Sequence, residues 1–229
     1  MSYLETRKKY LFASGNTVKE QLRQSTIDNV SSDFNDHPAH VVATIQNGNV
    51  DVRIAREKKA NPYTSFQRDL ITIMTTPEVK LDMGEIIDIK GRSFILYDEN
   101  ELDIFPTYYG LKVNNSVHIE FGEKRIQSGT DSTGRPIYKT EPMIETLRCF
   151  ATVNARNNVF TEFGDKINTP QDRLIAIVQF NPDRKLEDGL KCMYQNSNHH
   201  IIGVDETNVS NGIGYVVLLL DKIQEKSKS

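Results

Sequence analysis

The stretch His40-Val-Val-Ala-Thr-Ile-Gln-Asn-Gly-Asn-Val-Asp-Val-Arg-Ile54 decides how this chain folds. Val41, Ala43 and Ile45 fall at every second position, and so do Val50, Val52 and Ile54. That period turns one side of an extended strand toward a core and the other toward water. Between the two runs stands Asn47-Gly48, the favoured two-residue hairpin turn, so the segment predicts a β-hairpin.

Strand-like runs continue toward the C-terminus. They are Leu70 to Met74, Ile86 to Ile89, Phe94 to Tyr97, Leu111 to Phe121, Met143 to Thr152 and Val159 to Phe163. Leu174 to Phe180, Leu190 to Tyr194, His200 to Val204 and Tyr215 to Leu220 follow. Charged Ala55 to Ser65, with Pro62, and the acidic run Asp98 to Asp103 read as loops. Toward the N-terminus the period changes. Leu4, Leu11 and Phe12 form a short helical stripe that stops at Ser14-Gly15-Asn16. Thr17-Val18-Lys19-Glu20 then has the form of a capping box, and Val18, Leu22, Ile27, Val30 and Phe34 trace a helical face. His37-Pro38 closes it, because the residue before proline avoids the helical region. The first 36 residues therefore predict a helical arm, mildly basic through Arg7, Lys8, Lys9, Lys19 and Arg23.

Composition agrees with a β-rich chain. Among 229 residues Ile and Val number 37 against 23 Leu and Ala, with 17 Thr, 18 Asn and no Trp. β-branched side chains suit a pleated surface and Asn suits turns. The net charge of −3 and pI near 6.0 propose neither nucleic acid nor acidic lipid as a partner. The longest apolar run, Tyr215 to Leu220, falls far short of the ~20 residues of a membrane span. The N-terminal MSYLETRKKYLF lacks a signal-peptide apolar stretch. Two distant cysteines, Cys149 and Cys192, make neither a disulfide framework nor a zinc knuckle. A protein made and kept in a reducing compartment is expected, outside the membrane, secreted-cystine and disordered classes.

Lys80-Leu81-Asp82-Met83-Gly84 recurs as Lys185-Leu186-Glu187-Asp188-Gly189. Each copy follows a strand-like run and a proline, Pro77 or Pro182, and precedes a strand, a turn and a strand ending in Asp, at Asp98 or Asp205. The extra length of the second copy is assigned to the turn Asn196-Ser-Asn198. A small barrel-type unit used twice accounts for the pattern, with glycine bending the chain from turn into strand.

Residues 122–142, GEKRIQSGTDSTGRPIYKTEP, are built differently. Few are large and apolar, and the turn signal Asp131-Ser-Thr-Gly134 sits between two alternating arms. A long exposed hairpin is expected, of a kind that is usually functional or disordered.

Motifs for catalysis or nucleotide binding are absent. Cys192, His199, His200 and Asp205 form the best metal-like cluster, yet His199 and His200 face opposite ways on an alternating strand. A core Cys192 beside a polar turn is the plainer account. His118 reads as structural, and His37 and His40 carry no role. The acidic loop lacks the ligand spacing of a calcium loop. The basic arm and Arg53, Arg56, Lys58 and Lys59 could meet phosphates but fit a solvated face or a protein contact better, and no aromatic platform supports single-strand binding. Catalytic, metal and cofactor-binding residues are therefore expected to be none, and the chain is read as a non-enzyme without cofactors.

The order of these features resembles a known family. Ser14-GNTVKEQLRQSTI-Asp28 leads to His37-Pro38 and paired strands. Then comes L-x-x-G-x-x-h-x-h-K-G-R-S-F-h from Leu81 to Ile95 (h, apolar), followed by LKVNNSVHIEF from Leu111 to Phe121. The D-x-x-G-x-x turn at Asp131 and the G-x-h strand from Gly214 complete the series. Over about Leu4 to Leu220 this is similar to the head-closure, or head–tail connector and stopper, proteins of long-tailed phages of Gram-positive hosts. It departs from them in having Phe94 where Trp is common and Val113 where Cys is common.

The resemblance implies a mainly β chain of small barrels that forms a homo-oligomeric ring in the virion neck, made in the host cytoplasm. Its partners would be a portal or adaptor protein, a tail terminator or tail tube protein, and packaged double-stranded DNA held without sequence preference, with no membrane. The projecting hairpin would face the channel, with Lys124, Arg125, Ser128, Asp131, Gly134, Arg135 and Lys139 as candidate gating residues. Leu4, Arg7, Lys8, Leu11, Lys19 and Arg23 would contact a neighbouring subunit or the portal. The expected division is 1–36 helical arm, 37–165 first barrel carrying hairpin 122–142, and 166–229 a second, smaller β domain. Competing readings are a tail or baseplate component, a metal-dependent hydrolase using Cys192, and a nucleic-acid-binding module.

Overall fold

The computed structural model describes residues 17–56, 70–100, 104–153 and 173–223. Among the described residues one helix, α1 (Val18–Ser32), precedes thirteen strands. These are β1 (His40–Ile45), β2 (Gly48–Arg56), β3 (Leu70–Met74), β4 (Ile86–Ile89), β5 (Arg92–Asn100), β6 (Thr107–Lys112) and β7 (Asn115–Thr130). There follow β8 (Pro136–Val153), β9 (Leu174–Gln179), β10 (Lys191–Tyr194), β11 (Ser197–Asp205), β12 (Val209–Ser210) and β13 (Ile213–Lys222). The expected strand Val159 to Phe163, the boundary near 164–172 and the stripe of Leu4, Leu11 and Phe12 lie outside the described residues.

The first six strands close an antiparallel barrel in the order β1-β2-β3-β6-β5-β4, shut by Ala43 against Ile89 and Thr44 against Asp88. Strands β7 to β13 repeat that connectivity. Their pairings run β7-β8-β9-β13-β11-β10 and return to β7 through Ile119 against Cys192 and His118 against Met193, with β12 as a short addition to β13. Alternation fills each ring: Val41, Ala43, Val52, Ile73, Ile87 and Leu96 pack inside the first, and Val117, Ile119, Cys149, Ala176, Ile201 and Leu218 inside the second.

The recurrent motif sits at the same place in both barrels. Gly84 donates its N–H to Leu96 O at 2.7 Å, and Gly189 donates to Ile201 O at 2.7 Å. Leu96 N returns to Glu85 O, and Ile201 N to Leu190 O. Leu81 and Leu186 enter the respective cores. The hairpins that follow have matching registers, and both carry a bulge next, after Leu96 and after Ile201. Their two-residue turns are alike too: Lys90-Gly91 and Gln195-Asn196 all have positive φ, the geometry of the favoured tight hairpin. The extra length assigned to Asn196–Asn198 is therefore corrected. The turns are equal in length, and Asp98 corresponds to Gly203 rather than to Asp205.

Three further expectations shift. Ile45 pairs with Gly48, so the first hairpin turns on Gln46-Asn47, and Gly48 (φ 137°) opens β2 in a conformation that favours glycine. The run Leu111 to Phe121 is two strands, not one. Between them Asn114 occupies the seam between the barrels: its side-chain amide donates to Ala151 O and its side-chain oxygen accepts from Ala151 N, both at 2.8 Å. Val113 N bonds back to Ser93 O in the first barrel. Pairing of β8 with β9 and of β7 with β10 groups hairpin 122–142 with the C-terminal strands, not with residues 37–112.

A third apolar cluster joins the barrels. Leu70, Ile95 and Leu111 of the first meet Phe150, Ile175, Ile177, Tyr215 and Val217 of the second. At its margin Arg148 donates to both carboxylate oxygens of Asp88, at 3.2 and 3.3 Å. Gly84 lies so close to the Gly214 carbonyl that a Cβ at Gly84 would overlap it.

Candidate functional site: the projecting hairpin and the helical arm

Strands β7 and β8 begin inside the second barrel and leave it. Val117, Ile119, Leu147 and Cys149 point into the core, whereas every residue from 122 to 140 is exposed. Strand β10 pairs with β7 only as far as Ile119, and β9 pairs with β8 only from Cys149 onward. From Glu123 against Pro142 to Thr130 against Pro136 the two arms pair only with each other among the described strands. A bulge between Glu120 and Glu123, where Gly122 takes φ 132°, breaks the register as the ribbon leaves the barrel. A second bulge at Ser128 lies near the tip, where Ser128 Oγ donates to Ile137 O at 3.3 Å.

Asp131 organises the tip. Its Oδ1 accepts from Thr133 N at 2.8 Å, Thr133 Oγ1 at 2.6 Å and Arg135 N at 2.8 Å, the self-capping turn that Asp favours. Gly134 (φ 82°) donates to Asp131 O, which closes the turn. The Thr133 hydroxyl first, and then the Arg135 amide, hold the Asp131 carboxyl below its ordinary range.

Cross-strand pairing sorts the remaining candidates by face, because directly opposed residues project to the same side. Lys124 opposes Glu141, and Ile126 opposes Lys139, on one face; Arg125 opposes Thr140, and Gln127 opposes Tyr138, on the other. Lys139 Nζ also lies 3.7 Å from Glu141. The cations are thus divided between two faces and partly neutralised. Ile126, Ile137 and Tyr138 are exposed apolar groups along the same ribbon.

The helical arm is held at one end. The predicted capping box forms at its N-terminus: Glu20 N donates to Thr17 Oγ1 at 3.2 Å and Thr17 N to Glu20 Oε2 at 2.9 Å. At its C-terminus Arg53 of β2 covers the open carbonyls, donating to Asp33 O at 2.6 Å and to Phe34 O at 3.0 Å. The same guanidinium lies 4.5 Å from the centre of the Phe34 ring, which is buried. Of the two readings of Arg53, a solvated face or a protein contact, the structure has the second, and Arg53 is the anchor of the arm. Helix α1 has no buried residue, and Val18 and Leu22 are each 65% exposed. Lys19 and Arg23 lie on this exposed helix, whereas Leu4, Arg7, Lys8 and Leu11 lie outside the described residues.

The Cys192 cluster has the geometry of a core. Cys192 lies opposite His199 in the β10–β11 ladder, and both are buried, while His200 pairs with Lys191. His199 Nδ1 is bonded to Ser197 O and its ring meets Tyr194 edge-on. Burial pushes the Cys192 thiol up to about 11 and that of Cys149 to about 12, which keeps both protonated near neutrality. Among the described residues no group of three or more His, Cys, Asp or Glu side chains is placed to hold a metal ion.

Comparison with known protein families, curated proteins and solved structures finds no match to this chain.

Proposed function

We propose that this chain is a structural subunit of a phage neck, a head-closure or head–tail connector protein that joins portal or adaptor to tail and closes the DNA channel after packaging. The observation that carries this reading is the ribbon of residues 122–142, standing free of a body made of two closed barrels. A ring subunit needs a rigid body, extensions that reach its neighbours and a segment able to take two positions. Barrels supply rigidity, since closure removes free strand edges. The ribbon and α1 supply the extensions. In this reading copies of the chain form a ring in the virion, the ribbon faces the channel, and the arm contacts an adjoining subunit or the portal. The tail terminator or tube docks below. DNA passes without specific contact, and the division of cations between ribbon faces suits a wall to which phosphates must not adhere.

Tandem barrels of one connectivity also favour a second reading, a tail or baseplate subunit. Electron microscopy of a lysate of the parent phage with this gene inactivated separates the two. Free tails beside heads that packaged DNA and lost it are expected. Filled heads with defective tails would move the protein to the tail, and normal tailed particles would remove it from assembly.

A further inference from the structure

We infer that the ribbon of residues 122–142 pairs edge to edge with the same ribbon of a second copy, the β8 arm of one chain lying antiparallel to the β7 arm of the next. Every other strand of five or more residues lies in a closed ring, so the ribbon carries the long open edges of the described residues. Each arm has an inner edge bonded to its partner arm and an outer edge with no described strand beside it. An isolated two-stranded ribbon is marginal in water, and outer main-chain groups of this kind are satisfied fully by another strand.

The residues select the partner and its orientation. On β8, Pro136 and Pro142 each lack an N–H and bound the pairing segment to Ile137–Glu141. At matching height on β7 lie Lys124 to Gln127, opposite Glu141 to Tyr138, and Gly129, opposite Ile137 across the bulge. A two-fold contact between β8 arms, centred on Ile137–Glu141, would set Lys139 against its own copy, and one between β7 arms would leave both β8 edges open. Directly opposed like charges weaken a sheet. Head-to-tail pairing at equal height instead sets Lys124 of one chain against Glu141 of the next, and Ile126 against the alkyl stem of Lys139. It also occupies both outer edges of every ribbon by repeating one contact, and when all ribbons point the same way the repeat closes as a ring. The inference deepens the neck reading by naming the contact within the ring.

The test uses two purified full-length variants, Lys124→Cys and Glu141→Cys, mixed under mild oxidation with one carrying a mass tag. Both positions are on the ribbon outside the barrel, and the native Cys149 and Cys192 are buried, so the parent chain serves as the unlinked control. Mixed disulfide dimers well above their statistical share are expected. Homodimers in excess would establish two-fold pairing and overturn the arrangement, and absence of any dimer across a concentration series would overturn the contact. As a second readout, amide exchange in 124–127 and 138–141 of the unmodified protein is expected to slow together as concentration rises. Slowing in one arm alone, or in neither, counts against it. Because this test is made on purified protein, its failure removes the ribbon contact and leaves the lysate phenotype to judge the neck reading separately.

Discussion

Single residues in this chain carry loads that their types alone do not announce. Asn114 stands in for a stretch of strand by bonding both main-chain groups of Ala151 through its side chain. Asn114→Ala leaves those buried groups without partners and is expected to lower unfolding free energy by about 1–3 kcal/mol, read by urea denaturation. Asn115→Ala, which loses a bond to the Tyr194 hydroxyl and a local one from Ser116 N but frees no partner across the seam, is expected to cost less. Glu85 is a buried carboxylate at a position that Leu190 occupies in the second barrel. Desolvation raises its pKa above 4.5, with the neighbouring Asp82 charge adding and main-chain bonds from Asp82 and Gln46 opposing. A carboxyl with a raised folded-state pKa penalises the folded state above that pKa, and the penalty fades as pH falls from there to 4.5. Glu85→Gln is thus expected to be more stable than the parent at neutral pH, with the gap closing as the solution is acidified. A gap that stays constant from neutral to pH 4 would show that Glu85 titrates normally.

At the scale of elements, the helix and the ribbon behave differently from the barrels that carry them. Helix α1 is formed by its own capping box and held by Arg53 at its far end. Arg53→Ala uncovers the last carbonyls and removes the cover over Phe34. Amides of 18–32 are expected to exchange markedly faster, while the barrel strands β1 to β6 keep their protection. The ribbon makes no core, so deleting Ser128 to Arg135 is expected to leave the thermal transition of the barrels almost unchanged. Under the neck reading the same deletion releases packaged DNA, seen as empty heads, and retained DNA would count against the ribbon as the gate. The long hairpin, its Asp131 turn and the capping box were all legible in the sequence, because each depends on residues within a few positions of one another. The role of Arg53 was not, since a charged residue on a strand reads equally as solvated or in a contact until a helix end is placed above it.

Across the whole molecule the repeated motif allows a controlled experiment. Gly84 and Gly189 are equivalent and both hold positive φ, 78° and 89°. A Cβ at Gly189 would meet nothing, whereas one at Gly84 would overlap the Gly214 carbonyl of the other barrel. Alanine at either site bears a backbone penalty of about 1–2 kcal/mol. Any excess loss of Gly84→Ala over Gly189→Ala, measured by denaturation, reports the close packing of the barrels, and equal losses would show that the contact relaxes.

By itself the sequence located most of the described strands, because a period of two needs only neighbours along the chain, and it showed one motif twice, through Lys-Leu-x-x-Gly, although it gave Asp98 to Asn100 to a loop where β5 continues. Ring closure was decided only by tertiary structure, since periodicity assigns a residue to a face but not to a neighbouring strand. The join at Val113-Asn114 was hidden inside an unbroken alternation. Membership of the ribbon in the second barrel rests on pairs such as Cys149 with Val178 and Ile119 with Cys192. Such pairs join residues far apart in the chain, and local side-chain chemistry gives them no signature. The barrel contact needed the same information: Ile95 and Leu96 are both fully buried, one between the barrels and one inside the first. Only the packed structure distinguishes an outward face that meets water from one that meets another barrel.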